Sequence, residues 1–366
     1  MSNLHVLKRQ SFRLLSTSRF PIASVSNPAF STRNASTGTP IASAGIAPLP
    51  NRSLIHISGR DAPKFLQGLT TNNVDTSRLH GWYTAFLNAT GRVVTDAFVW
   101  PVIKDVDWAC LLDVDETVAQ RLQSYLKKHK LRSKVSIRVL EGSQQKTLGY
   151  LPDPRLAGFS HRLILPKNAE PESSLTNILQ PFSQLQLATA KQYDLHRYIN
   201  GVPEGPIEMF SEHYQVHPSN LDVLNAVDFH KGCYVGQELT IRTEHTGVVR
   251  KRILPIQLYP TNSSAPDQLT YSPDVMDFDS STIPHETKIV STGGKREAAK
   301  WIAGTGNVGL AMCRIETMTD VKVSAEGGTY TESAEFFLSE DTGLKVKAFV
   351  PNWLRQQLSM ARKPRS

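Results

Sequence analysis

Two β-rich runs, Tyr83 to Asn88 and Arg92 to Trp100, are separated only by Ala89-Thr90-Gly91. A connection that short can join only antiparallel neighbours, because a parallel crossover needs a dozen or more residues. The spacing therefore predicts a hairpin closed by glycine. Around it, Leu54-Ile55-His56-Ile57 has strand composition, and Asp61-Ala62-Pro63 opens a short helix. A third strand, Trp108 to Leu112, leads into a longer helix with Asp113 as its cap and Glu116 three residues on. Val118, Leu122, Tyr125 and Leu126 give that helix one apolar stripe, and Lys127, Lys128 and Lys130 sit at its C-terminal end, where the dipole favours cations. Val135, Ile137 and Val139 alternate with polar residues, the mark of a strand with one solvated face. Strand pairs joined to a packing helix make an α+β domain.

Beyond a loop-rich stretch from Pro166 to Ser174, Gln186 to Asn200 reads as a helix stopped by Gly201 and Pro203. Past Gly247 the pattern is of short β runs: Val248 to Leu258, Lys288 to Ser291, Val308 to Ile315 and Val346 to Val350. That predicts a small C-terminal β-barrel or sandwich. Between Tyr259 and Thr287 lie four prolines, five serines and five acidic residues without one Lys or Arg, the composition of an exposed, disordered insertion. The organisation expected is a lead over 1–50, an α+β region over 51–247, a barrel over 248–356 with its insertion at 259–287, and a basic tail over 357–366.

Charge is unevenly placed. No Asp or Glu precedes Asp61, while Lys8, Arg9, Arg13, Arg19 and Arg33 lie among thirteen Ser/Thr in the first fifty residues. Leu4, Leu7, Phe12, Leu14 and Leu15 complete a basic amphipathic helix, so the lead reads as a mitochondrial transit peptide. Without residues 1–50 the formal charge falls from +8 to +3, which leaves little basicity for nucleic acid, and no nucleic-acid partner is expected. No run of about 18 apolar residues offers a membrane span. Cys110, Cys233 and Cys313 are too far apart in sequence for a disulfide framework or a paired metal knuckle, which fits a reducing compartment. Cys110, in an apolar strand, and Cys313, among Leu310, Met312 and Ile315, read as core.

The segment Asp228-Phe229-His230-Lys231-Gly232-Cys233-Tyr234-Val235-Gly236-Gln237-Glu238 concentrates the chemistry. Gly232 and Gly236 allow tight turns or close approach, and the following run to Thr243 reads as a short helix or extended arm. A thiol beside Lys231 and near a helix N-terminus would have its thiolate favoured, which makes Cys233 a nucleophile or transient metal ligand. A small buried residue filling a gap under the loop satisfies the same spacing. Spacing alone leaves both open.

Lys231 to Glu238, with Arg197-Tyr198-Ile199-Asn200-Gly201-Val202-Pro203-Glu204-Gly205 before it and Arg242-Thr243-Glu244-His245-Thr246-Gly247-Val248-Val249-Arg250-Lys251-Arg252 after it, resembles the YgfZ branch of the glycine-cleavage T-protein superfamily. With the transit composition added, the chain most resembles the mitochondrial iron–sulfur assembly factors of that branch. Asn72-Asn73-Val74 and Leu87-Asn88-Ala89-Thr90-Gly91-Arg92 extend the likeness. It implies a T-protein-like ring of three small domains, two α+β and one C-terminal β-barrel, around a central hole able to accept tetrahydrofolate. It also implies a mitochondrial matrix protein that matures [4Fe–4S] clusters with A-type carriers and a ferredoxin, holds no stable metal of its own, and lends Cys233 as a shared iron ligand. Lys231, Gly232, Tyr234, Gly236, Gln237 and Glu238 would shape and charge the loop. The alternative is a folate-dependent one-carbon transferase, with Asp96, Asn72 and Arg242 as folate contacts.

The match has gaps. Thr95-Asp96 stands where T-proteins carry an aspartate pair, and Pro218 stands before Ser219-Asn220-Leu221 where relatives carry a glutamate. Other groups are weaker leads. His213 and His217 invite a metal but lack a tetrahedral set. Arg250-Lys251-Arg252 alternate faces in a strand and read as a rim or partner contact. Trp82 and Tyr83 could stack on a pterin but are ordinary core residues.

Overall fold

The computed structural model describes residues 45–102, 108–141, 149–165, 186–272, 279–291, 297–325, 327–338 and 343–360. The expectations for most of the lead, for the loop after Pro166, and for the last six residues of the tail lie outside these segments.

Strand β1 (Gly45–Ile46) precedes β2 (Arg52–Ser58), β3 (Trp82–Leu87), β4 (Val93–Val102), β5 (Ala109–Asp115) and β6 (Ser136–Val139). The last five form an antiparallel sheet in the order β3-β4-β5-β2-β6. The expected hairpin is present: Trp82 pairs with Val99 and Phe86 with Thr95, with a register shift at Leu87. Strand alternation sorts the side chains into two cores. Ile55, Ile57, Trp82, Phe86, Cys110, Leu112 and Val114 face the helices Ala62–Gln67 and Glu116–Lys130. Leu54, Tyr83, Leu87, Phe98, Trp100 and Leu111 face Leu151, Ile164, Val202 and Leu221 from later in the chain. With both faces covered, β3 is buried at every position.

The helix cap is not Asp113. Strand β5 runs on to Asp115, whose side chain accepts from the backbone N–H of Thr117 at 2.9 Å, and this frees Asp113 for a different role. Asp61 likewise makes no cap bond and instead accepts from the N–H of Lys134 at 2.7 Å.

The middle of the chain holds the hairpin β7 (Gly149–Pro152) and β8 (His161–Ile164), then β9 (Gln186–Leu187), which pairs parallel with β1. The helix expected from Gln186 starts later, at Ala190, because Thr189 and Gln192 close a capping box. The C-terminal part is a closed barrel of β10 (Lys251–Pro260), β11 (Lys288–Ser291), β12 (Glu297–Thr305), β13 (Val308–Arg314), β14 (Phe336–Leu338) and β15 (Leu344–Ala348), in the order β10-β13-β12-β11-β14-β15. Sequence reading missed β12 and β14. Helix Asn352–Met360 closes over the barrel core through Leu354 and Leu358, so the supposed tail is helical as far as Met360.

Within 259–287 the described residues make contacts with the barrel. Tyr259 and Pro260 belong to β10, Asn307 holds Thr270 and Ser272 through its amide at 3.0 and 2.8 Å, and Ser280 is fully buried. The buried acceptor and donor come from Asn307, outside the segment.

Candidate functional site

The cysteine loop is built on the turn that follows helix Ala62–Gln67. The Asp228 N–H donates to the Thr71 carbonyl at 3.1 Å and the Val235 N–H to Gly68 at 3.0 Å. The Thr71 hydroxyl donates to the Ala226 carbonyl at 2.6 Å, and the Asn72 amide to Asn225 at 2.8 Å. The loop is therefore stapled at both ends to one rigid segment. At its exit Gly236 has φ 78, a left-handed conformation that glycine adopts without strain, and a Cβ there would stand 2.3 Å from the Asn88 carbonyl. Helix Gln237–Thr246 begins at once. Gln237 turns its side-chain oxygen back to accept from the Tyr234 N–H at 3.1 Å.

Within this frame Cys233 is exposed and Tyr234 is buried. The gap-filling alternative is excluded. Gly232 differs from Gly236: its φ is not in the left-handed region and a Cβ there would meet nothing within 4 Å. Glu238 lies on the solvent face of the helix and pairs with Arg242 one turn on, at 2.6 Å.

Lys231 is anchored in the backbone of the preceding turn. Its ammonium donates to the carbonyls of Gln67, Thr70 and Asn72 at 2.8, 2.5 and 3.0 Å, which uses all three of its protons. It lies 5.0 Å from the centroid of the Tyr234 ring. Burial pulls it down to about 8 despite the opposing pull of Asp228. Lys231 is thus the strut that ties the loop to the 67–72 turn.

A second cluster lies on the sheet face that carries Tyr83 and Phe98. Asp96 is fully buried, and its two carboxylate oxygens accept from the Tyr83 hydroxyl at 2.9 Å and the Gly205 N–H at 3.0 Å. Burial pushes this carboxyl up, against the nearby charge of Arg52. Beside it three buried arginines converge on Glu204: Arg155 at 2.7 Å, Arg52 at 3.5 Å, and Arg162 in direct contact. Asp113 receives Arg52 at 2.7 Å and Arg162 at 3.3 Å, and Asp153 receives Arg155 at 2.7 Å. Burial alone would raise Glu204, but Arg162, Arg155, Arg52 and Arg197 outweigh it and hold the carboxyl well below the usual range. Sequence reading missed this network. Its members sit at 52, 113, 153–162 and 204, and nothing local links them.

The iron–sulfur cluster assembly factor IBA57 homolog, mitochondrial, of Pyricularia oryzae is 41% identical over 345 residues, covering 86% of each chain. Its counterpart from Aspergillus fumigatus is 37% identical over 98% of this chain and 92% of its own. The chain belongs to the IBA57 family. The model of the CAF17 C-terminal beta-barrel domain matches residues 250–356, which brackets the barrel seen here. The crystal structure of glycine cleavage system aminomethyltransferase T from Bartonella henselae matches with a TM-score of 0.57 over 84% of this chain and 85% of that one. At 12% identity it establishes the shared T-protein-like fold.

For an IBA57-family chain on that fold, tetrahydrofolate is the cofactor to test against the residues. They do not fit it. Both oxygens of Asp96 are taken by the protein, and the Asn72 side chain is consumed by Tyr83, Asn225 and Asn73. Arg242 is exposed on helix Gln237–Thr246, paired with Glu238, and so is not brought together with sealed Asp96. Trp82 and Tyr83 are core, not a stacking platform.

The remaining leads resolve into structure. His213 stacks on Phe210 at 4.1 Å while His217 is buried, 3.5 Å from Glu244, so the pair does not converge. Among the described residues no group of three or more His, Cys, Asp or Glu is arranged for a metal ion. Arg252 is not a rim residue: it is buried and bidentate to Asp222 at 2.7 and 2.8 Å. Cys110 and Cys313 are buried in separate cores, and burial raises both thiols far above their ordinary value.

Proposed function

We propose that this chain is a mitochondrial factor in the maturation of [4Fe–4S] clusters, working with an A-type carrier and a ferredoxin in the matrix, to which residues 1–50 address it. Family membership supports the assembly role. The observation that carries the working site is the exposure of Cys233 on a loop whose two ends are fixed by Lys231 and Gly236. A cluster usually requires four thiolates, and the other two cysteines of this chain are sealed in its cores. Cys233 therefore acts with a partner's ligands: its thiol gives up a proton and its sulfur binds iron at the edge of the forming cluster. The fixed backbone holds the sulfur out toward the partner, so that little conformational entropy is lost on contact. The assembly reading is preferred to the one-carbon transferase reading, because Asp96 is fully buried and held by Tyr83 and Gly205.

The test is reconstitution with an A-type carrier, comparing cluster spectra with wild type and Cys233→Ser, alongside aconitase activity and protein lipoylation in mitochondria. Loss of the [4Fe–4S] spectrum and of both activities is expected. Unchanged spectra and activities would remove the thiol from the mechanism.

A further inference from the structure

The far end of helix Glu116–Lys130 carries a surface that the cysteine loop does not account for. Lys127, Lys128, Arg132, Lys134 and Arg138 are all exposed, and among the described residues none of them forms an ion pair. Lys127 and Lys128 are where a helix C-terminus favours cations in any protein. That explanation stops at Lys130. Arg132, Lys134 and Arg138 lie beyond the helix, and Arg60 joins them because the 59–61 turn is bonded to Lys134 on both its N–H and its carbonyl. Asp61, next to Arg60, is occupied by the Lys134 N–H and Arg60.

Leu131, which follows the helix directly, is 88% exposed, with φ 45 and ψ −115. A helix ends in the left-handed region by preference on glycine or asparagine. A leucine there accepts backbone strain and gains no burial within the chain. The side chain is thus held out by a conformation it does not favour, in a segment whose exposed Lys127, Lys128, Arg132, Lys134 and Arg138 form no ion pair among the described residues. A plane of negative charge with an apolar layer beneath it matches both parts.

We propose that this segment is a docking point for an anionic lipid surface, with Leu131 entering the acyl boundary and the cations meeting the headgroups. It is independent of Cys233.

The test is sedimentation of the full-length chain with vesicles of phosphatidylcholine alone and of phosphatidylcholine with added phosphatidylglycerol. In every arm Lys8, Arg9, Arg13, Arg19 and Arg33 are replaced by glutamine, so that the lead contributes no charge. Pelleting only with the anionic vesicles is expected. Partition should fall about fivefold for each of Lys127→Gln, Lys128→Gln, Arg132→Gln and Lys134→Gln, and roughly tenfold for Leu131→Gly. Because Leu131→Gly relieves strain, its thermal midpoint should hold or rise, which separates lost docking from lost folding. Equal pelleting with both vesicles, no pelleting, or full binding by Leu131→Gly would overturn the proposal. So would salt-sensitive binding to single-stranded RNA by a chain that ignores the vesicles.

Discussion

Gly91 and Gly236 pack backbone against backbone: a Cβ on Gly91 would stand 2.9 Å from the Gly236 carbonyl oxygen, and one on Gly236 would stand 3.2 Å from the Gly91 Cα. Both are in the left-handed region, at φ 79 and 78. The hairpin turn of the first sheet is thereby locked to the exit of the cysteine loop, and the position of the sulfur is inherited from the sheet. Gly236→Ala should cost about 2–4 kcal/mol, combining the left-handed penalty with a clash against rigid backbone. Gly232→Ala, which meets nothing, should change stability by no more than ~0.5 kcal/mol. Paired denaturant titrations of the two variants check the contrast, and equal losses would contradict it.

Lys231→Met keeps the stem of the side chain and removes the three bonds to Gln67, Thr70 and Asn72. Loss of about 2–3 kcal/mol is expected, since part-buried carbonyls lose a charged donor. The pH dependence carries a definite sign. The ammonium ionises near 8 in the fold and near ~10.5 in the unfolded chain. Between these values the unfolded state binds the extra proton, so this residue's contribution makes stability rise with pH across that window. The wild-type slope minus that of Lys231→Met isolates it.

The arginine cluster predicts an acid limit. Glu204 and Asp153 are both held below their ordinary values, burial being outweighed by Arg162 and Arg155 at Glu204 and by Arg155 at Asp153. The unfolded chain therefore takes up protons first as pH falls. The stability these groups contribute is complete above the usual carboxylate range and is lost as pH drops through their lower folded values. Glu204→Gln should cost about 3–5 kcal/mol at neutral pH by leaving buried arginines short of an anion. Thermal melts of wild type and variant across acid pH test this, and a variant as stable as wild type at neutral pH would contradict it.

Thiol reactivity should divide the three cysteines. In the native chain one thiol, Cys233, reacts with a water-soluble disulfide reagent, and Cys110 and Cys313 react only after unfolding. Cys233→Ser should abolish the native reaction. Reaction of a second thiol under native conditions would show that one of the two cores opens.

Much was legible in the chain itself. The hairpin around Gly91, the stripe on helix Glu116–Lys130, the alternation from Val135 to Val139 and the C-terminal barrel are written in residues close together, because strand and helix periods are local properties. The glycine-flanked cysteine was equally plain. What sequence could not supply was direction. Whether Lys231 faces the sulfur or three carbonyls, whether Asp113 caps a helix or receives two arginines, and whether Asp96 opens to a ligand or is sealed by Tyr83 and Gly205 all depend on groups brought together from distant positions. Local preferences choose the elements, whereas the partners of a buried charge are chosen by how those elements pack, since only packing decides which donor reaches which acceptor once water has gone.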